Sequence, residues 1–130
     1  MNWKENILAS DDQIRELLAD TKTIAVIGIK MEQFQPAYYV PEYMKRRGFE
    51  IIPVPVYYPE ATEILGEKVY RKLTDIPKDI DLVNLFRRSA DVPKHTEDIL
   101  AKRPKGVWMQ SGIYNDEAAR TLAENGIKVV

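Results

Sequence analysis

Strand-like apolar runs and helix-spaced apolar residues alternate along this chain, and the alternation predicts its architecture. TIAVIG at 23–28 is apolar at nearly every position, as expected of a parallel strand buried on both faces. Further strands are read at FEIIPVPV, 49–56, DLVNLF, 81–86, GVWMQ, 106–110, and IKVV, 127–130. Between them lie helical patterns. Ser10 with Gln13 three residues later is a capping-box pair, opening a helix whose stripe is Ile14, Leu17 and Leu18. Pro36 opens a second helix, with Tyr39, Val40, Tyr43 and Met44 as its expected buried stripe. Gly48 ends it, after Lys45, Arg46 and Arg47 in the last turn. In the segment 57–72, Gly66 marks a turn, and Val69 with Tyr70 forms a small extra strand. A third helix starting near residue 92 turns Val92, Ile99 and Leu100 inward. Asn115 caps a fourth helix, which carries Ala118, Ala119, Leu122 and Ala123.

Strands alternating with helices at this spacing imply an α/β fold: a parallel sheet of about five strands, right-handed crossovers and helices on both faces. The expected strand order is 3-2-1-4-5. That order puts the switch point between the strand ending at Gly28 and the strand ending at Gln110, where ligands of open α/β sheets bind. The last strand stops with the chain and is therefore read as short or cut. One domain over 1–130 is expected.

Composition narrows the class. The 130 residues suit one domain. With 20 acidic and 19 basic residues the net charge is -1, so no global field favours nucleic acid or an anionic membrane. No apolar run reaches membrane-spanning length, and MNWKENILAS is too polar for a secretory signal, so a cytoplasmic protein is expected. There is no cysteine, which removes disulfides, thiolate chemistry and cysteine-ligated metals.

Candidate chemistry centres on Gly28. A dinucleotide fingerprint needs three glycines and an acid about twenty residues later, and a Walker A loop needs Gly-Lys-Ser/Thr. Here I-K-M-E-Q-F-Q-P follows Gly28, and the second strand ends in prolines, valines and tyrosine without a carboxylate. Lys30 stands where it meets a phosphate, or is a solvated loop lysine. Tyr38 stacks on a ligand in the cleft or belongs to a surface aromatic patch. The stretch 53–58 is a wall for an adenine ring or a sharp strand exit marked by prolines. Phe86-Arg87-Arg88 ends the third strand with two guanidinium groups suited to phosphate, or paired with nearby acids. Gln110 and Gly112 end the fourth strand, Gly112 allowing close approach of backbone to a ligand. His95, the only histidine, is expected at an exposed helix position, and Asp79 and Asp81 at turns on the opposite face. Ser111 has no visible histidine–acid support.

These residues resemble those of the small stand-alone coenzyme A-binding proteins, which are similar to the nucleotide-binding domain of the succinyl-CoA ligase alpha subunit. The resemblance spans roughly 12–130. It is carried by IAVIG at 24–28, PAYYVPEYMKRRGFEIIPV at 36–54, EILGEKVYRKLTDIP at 63–77, DLVNLFRRSADVP at 81–93 and GVWMQSGIYNDEAARTLAENGIKVV at 106–130. It implies a Rossmann-like three-layer sandwich binding coenzyme A across the strand carboxyl ends. Gly28, Ile29 and Lys30 would then line the diphosphate loop, and Pro53, Val54 and Pro55 would border the adenosine. Phe86, Arg87, Arg88 and Pro93 would flank the middle of the ligand, with Gln110 and Gly112 toward the pantetheine arm. It implies no phosphohistidine, because His95 is not at the matching place. The chain departs from the family pattern at Phe34, Gln35, Ala37 and Pro55, each change removing a hydrogen-bond donor near the nucleotide.

Three functions compete at this level. A non-catalytic coenzyme A or acyl-CoA module, acting as carrier or sensor and able to form a homodimer, leads. An NAD- or flavin-dependent enzyme or redox sensor is opposed by the missing glycines and acid. A structural or protein-binding domain with a degenerate pocket would use the Tyr57 and Tyr58 region as an interface.

Overall fold

Residues 2–110 and 113–130 are described by the computed structural model. A 3-10 turn, Trp3–Asn6, precedes α1, Asp11–Ala19. The capping box at α1 is closed: the Gln13 amide donates to Ser10 Oγ, and the Ser10 amide donates to the Gln13 side chain. Then follow β1, Thr23–Ile27, α2, Pro36–Arg46, and β2, Glu50–Val54. A two-residue-strand hairpin, β3 Glu63–Ile64 and β4 Glu67–Lys68, leads to a 3-10 turn at Leu73–Asp75 and to β5, Leu82–Leu85. The 3-10 helix Ser89–His95 runs into α3, Thr96–Lys102, followed by β6, Gly106–Met109, α4, Asp116–Glu124, and β7, Lys128–Val129. Asn115 caps α4 by accepting the Ala118 amide.

The five-stranded sheet is parallel throughout, with order β2-β1-β5-β6-β7. In the numbering of the expected strands this is 2-1-3-4-5, which corrects 3-2-1-4-5. The reason lies in the third strand. Leu82, Val83, Asn84 and Leu85 are all buried, so this strand needs a neighbour on each edge and a layer on each face. An edge position would leave it half covered; between β1 and β6 it is covered on all sides. The switch point therefore lies between β1 and β5, and Gly28 adjoins Phe86 rather than Gln110.

One face of the sheet packs against α3, α4 and the apolar residues Leu73, Ile76 and Ile80 of the long β2–β5 connection. The other packs against Leu17 of α1, Met44 of α2 and Ile64 of the hairpin. Two local expectations change. The extra strands form at 63–64 and 67–68, closed by Leu65 and Gly66 at φ 56° and 77°, the backbone of a tight hairpin turn. Val69 and Tyr70 only extend it, their amides bonding the carbonyls of Thr62 and Pro53. On α2 the buried residues are Ala37 and Pro41, while Tyr39 and Tyr43 are 48% and 55% exposed. Small side chains at positions i and i+4 let the helix lie close on the sheet, which rolls the tyrosines outward. No helix of the described residues is long and apolar enough to cross a membrane.

Candidate functional site

The loop after β1 is built by three backbone constraints. Gly28 takes φ 84° and its amide donates to Val54 O at 2.9 Å, while Phe86 N donates to Ile27 O at 2.9 Å. A Cβ at Gly28 would lie 2.2 Å from the Phe86 carbonyl oxygen, so the backbone just past β5 stands where any side chain would. Ile29 is fully buried and anchors the loop. The Lys30 amide then donates to Ala37 O at 3.1 Å, folding the loop back onto the first turn of α2. Gln35 occupies the cap position without a side-chain capping bond, and Pro36 is at the first helical position. The start of α2 thus opens toward the strand tips with its positive dipole end.

A cleft of about 650 Å³ lies at this switch point. Lys30, Gln35 and Ala37 line one side and Phe86, Arg87 and Arg88 the other. Ser89, Gln110 and Ile113 close the β6 end. Among the described residues the lining has three cations and no carboxylate, a field suited to an anion. The Lys30 ammonium also sits 3.9 Å from the Tyr57 ring centroid, a cation–π contact that joins this loop to the one after β2. The two loops are further latched by Tyr58, whose hydroxyl accepts from the Met31 amide at 3.2 Å and donates to Glu32. Burial and the Glu32 carboxylate raise the Tyr58 phenol above its ordinary value. Tyr58 holds φ 60°, and Arg71 braces that turn by donating to the carbonyls of Tyr57 and Tyr58.

The two arginines differ. Arg87 has a side chain only 12% exposed, with Nε donating to His95 Nε2 at 3.1 Å and Nη2 3.9 Å from Asp91. Arg88 is 87% exposed and pairs through Nε with Asp91 at 3.0 Å, so the surface-pair alternative describes it. Asp91 is itself buried and also meets Lys94 Nζ at 2.8 Å. Lys94 and then Arg88 hold its carboxyl at about 2. His95 corrects the expectation of an exposed helix position. It is half-buried beside Arg87, and burial followed by the Arg87 charge lowers its imidazole below the usual value.

Other expected site residues are scattered. Val54 and Pro55 wall a second cavity of about 230 Å³ on the other side of the strand tips, with Arg71, Lys72 and His95. Pro53 is buried within β2 opposite Val26 and lines neither cavity. Pro93 is exposed on the 3-10 helix, and Tyr38 is half-buried on α2; neither lines the cleft. Gln110 donates through Nε2 to Asn84 Oδ1, which places it at the cleft and over the sheet face at once. Gly112 and Ser111 lie outside the described residues. Sequence reasoning missed Asn84, Ser89, Asp91 and the role of His95. Only Asn84 carried a signal, as a polar residue inside an apolar strand.

A doubly wound parallel sheet, with a cationic cleft and a helix N-terminus at its switch point, defines a nucleotide- or anion-binding α/β domain. The profile of the family described as the CoA binding domain matches residues 22–130, and the chain belongs to that family. An uncharacterized protein of Bacillus subtilis, YneT, is 37% identical over 121 residues, covering 93% of this chain and 87% of that protein. A solved structure of a hypothetical protein from Pyrococcus horikoshii superimposes with a TM-score of 0.86 at 34% identity, covering 94% of this chain and 84% of that one. An ADP-forming acetate–CoA ligase of Methanocaldococcus jannaschii is 28% identical over 109 residues, 84% of this chain but 15% of the ligase.

Proposed function

We propose that this domain binds coenzyme A or an acyl-CoA without chemistry of its own, as a cytoplasmic carrier or sensor. The observation that supports this reading is the cleft between β1 and β5. The start of α2, Lys30 and Arg87 converge there on one cleft, beside the Gly28 turn, in a chain of the CoA-binding family. Gly28, Ile29 and Lys30 would wrap the diphosphate. Val54 and Pro55 would stand on the adenosine side, and Phe86, Arg87 and Gln110 along the arm. The departures at Gln35 and Ala37 fall on the cleft lining itself, beside Lys30 and Arg87, whose charges supply the attraction for the phosphates in this reading.

The test is thermal unfolding of nucleotide-free protein with coenzyme A, acetyl-CoA and NADH in separate arms. A ligand that binds only the folded state raises stability by about 2.7 kcal/mol at one hundred times its Kd. Coenzyme A or acetyl-CoA is expected to raise Tm, and Lys30→Ala is expected to reduce that gain. No shift at millimolar coenzyme A, or a larger shift with NADH, would overturn the reading.

A further inference from the structure

The single histidine of this chain stands behind the better-buried arginine of the cleft. Arg87 Nε donates to His95 Nε2 at 3.1 Å, which requires that nitrogen to be unprotonated, with the imidazole proton on Nδ1. Nη2 of the same guanidinium turns toward Asp91, 3.9 Å away. Nε is thus committed to His95 and Nη2 turned to Asp91, in a side chain that also lines the cleft. The guanidinium is thereby held in one orientation before any ligand arrives, which lowers the ordering cost of binding. His95 itself lines the second cavity and not the cleft, so it acts through Arg87.

We propose that His95 is a positioning residue for Arg87, and that protonating its imidazole releases the guanidinium and weakens anion binding in acid. This inference rests on the coenzyme A reading. When Nε2 gains a proton it can no longer accept, and two cations then stand at hydrogen-bond distance. The charged groups around His95 come from each element packed against it. Arg87 lies at the tip of β5, Asp91 and Lys94 on the 3-10 helix, Asp98 on α3, and Arg71 and Lys72 on the segment before the Leu73–Asp75 turn. Burial first, and then the Arg87 charge, oppose an imidazolium there, against the pull of Asp98 and Asp91. Arg87 therefore has a neutral partner near pH 7, and the bond is lost only in acid. The neighbouring Asp91 remains charged throughout that range, because its carboxyl titrates at about 2.

The test uses tag-free protein, in which His95 is the sole imidazole seen by NMR, and coenzyme A as titrant by calorimetry. Wild type and the variants His95→Gln and His95→Leu are compared in steps from about pH 7.5 down to about pH 5. Glutamine keeps an acceptor for Arg87 Nε but does not titrate, whereas leucine has no acceptor. At the higher pH the glutamine variant is expected to bind more tightly than the leucine variant, by roughly tenfold. Wild type is expected to lose affinity in acid beyond any loss in His95→Gln, with a midpoint equal to the His95 pKa read by NMR. The glutamine variant carries the contribution of the ligand's own phosphate, whose second ionisation falls near pH 6. A wild type that binds with the same pH profile as His95→Gln would overturn the proposal, as would affinity that rises in acid beyond that of His95→Gln. Equal binding by the glutamine and leucine variants would overturn the positioning role. Absence of binding by wild type at the higher pH would instead sink the coenzyme A reading. Unfolding curves of each unliganded variant separate lost binding from lost structure.

Discussion

The amide of Lys30 donates to the carbonyl of Ala37 at 3.1 Å, and it finds that carbonyl free because Pro41 stands one helical turn further on. In an uninterrupted helix the residue at 41 would donate to Ala37 O; proline has no N–H, and its ring pushes the carbonyl outward. A helix defect is thus converted into the bond that shapes the loop at the cleft. Pro41→Ala restores a competing donor and improves helix propensity. The variant is expected to be at least as stable as wild type, while the Lys30 amide exchanges roughly five- to tenfold faster. Amide hydrogen exchange checks this, and unchanged protection at Lys30 would refute the link.

Gly28 combines φ 84° with the Phe86 backbone oxygen 2.2 Å from where a Cβ would stand. Neither feature tolerates alanine, and the obstructing atom is the backbone carbonyl oxygen of Phe86, which cannot swing aside as a side chain would. Gly28→Ala is expected to cost roughly 2–5 kcal/mol, from left-handed strain plus overpacking. Urea unfolding measures it; a loss under about 1 kcal/mol would mean the backbone yields.

Arg87 and Arg88 are adjacent in sequence but differ in preorganisation. Arg87 is held from behind by His95, whereas Arg88 is exposed and committed to Asp91. Arg87→Ala is expected to weaken coenzyme A binding by about tenfold or more, and Arg88→Ala by only about two- to threefold. Calorimetry on the two variants distinguishes them, and equal losses would contradict the assignment.

Asp91 links pH to stability. Its folded carboxyl, held at about 2 by Lys94 and Arg88, lies below the ordinary value of 3.8. A depressed carboxylate contributes stability that is complete above the unfolded pKa and is lost as pH falls through the folded one. Stability should therefore fall between about pH 5 and about pH 2, and Asp91→Asn should flatten that part of the curve. Thermal melts across the range test this, and an unchanged acid slope in the variant would count against Asp91.

Asn84 is buried in the middle of β5, and its amide oxygen accepts from Gln110 Nε2. Removing the donor strands a buried acceptor, so Gln110→Ala is expected to cost about 1–2 kcal/mol. Adding Asn84→Leu removes the stranded group and should recover part of that loss. A strictly additive double variant in urea would show that the pair is not coupled.

Much of this architecture was legible in the chain because it follows from local rules. The runs 23–28, 49–56, 81–86, 106–110 and 127–130 are apolar beyond what an exposed strand tolerates, and each forms a parallel strand. Ser10 with Gln13, Pro36, Gly48 and Asn115 mark helix ends through hydrogen bonds spanning a few residues, and each stands where its chemistry predicts. Gly28 and the pair Phe86-Arg87 were readable as strand tips bearing ligand-type residues. Strand order was not, because it depends on how the long connection 55–81, which has no α-helix, packs and on which strand most needs cover on both faces. The orientation of α2 was hidden for a related reason: periodicity counted Tyr39 and Tyr43 as core, whereas close packing favoured Ala37 and Pro41. The partnership of Arg87 with His95 and Asp91 joins a strand tip to a following 3-10 helix, a geometry no spacing rule specifies. Sequence by itself determined the elements and the chemical types at the strand tips, since local hydrogen bonding and apolar patterning decide those. Only the tertiary structure decided which tips meet, because burial on both faces of a sheet is a property of the whole chain.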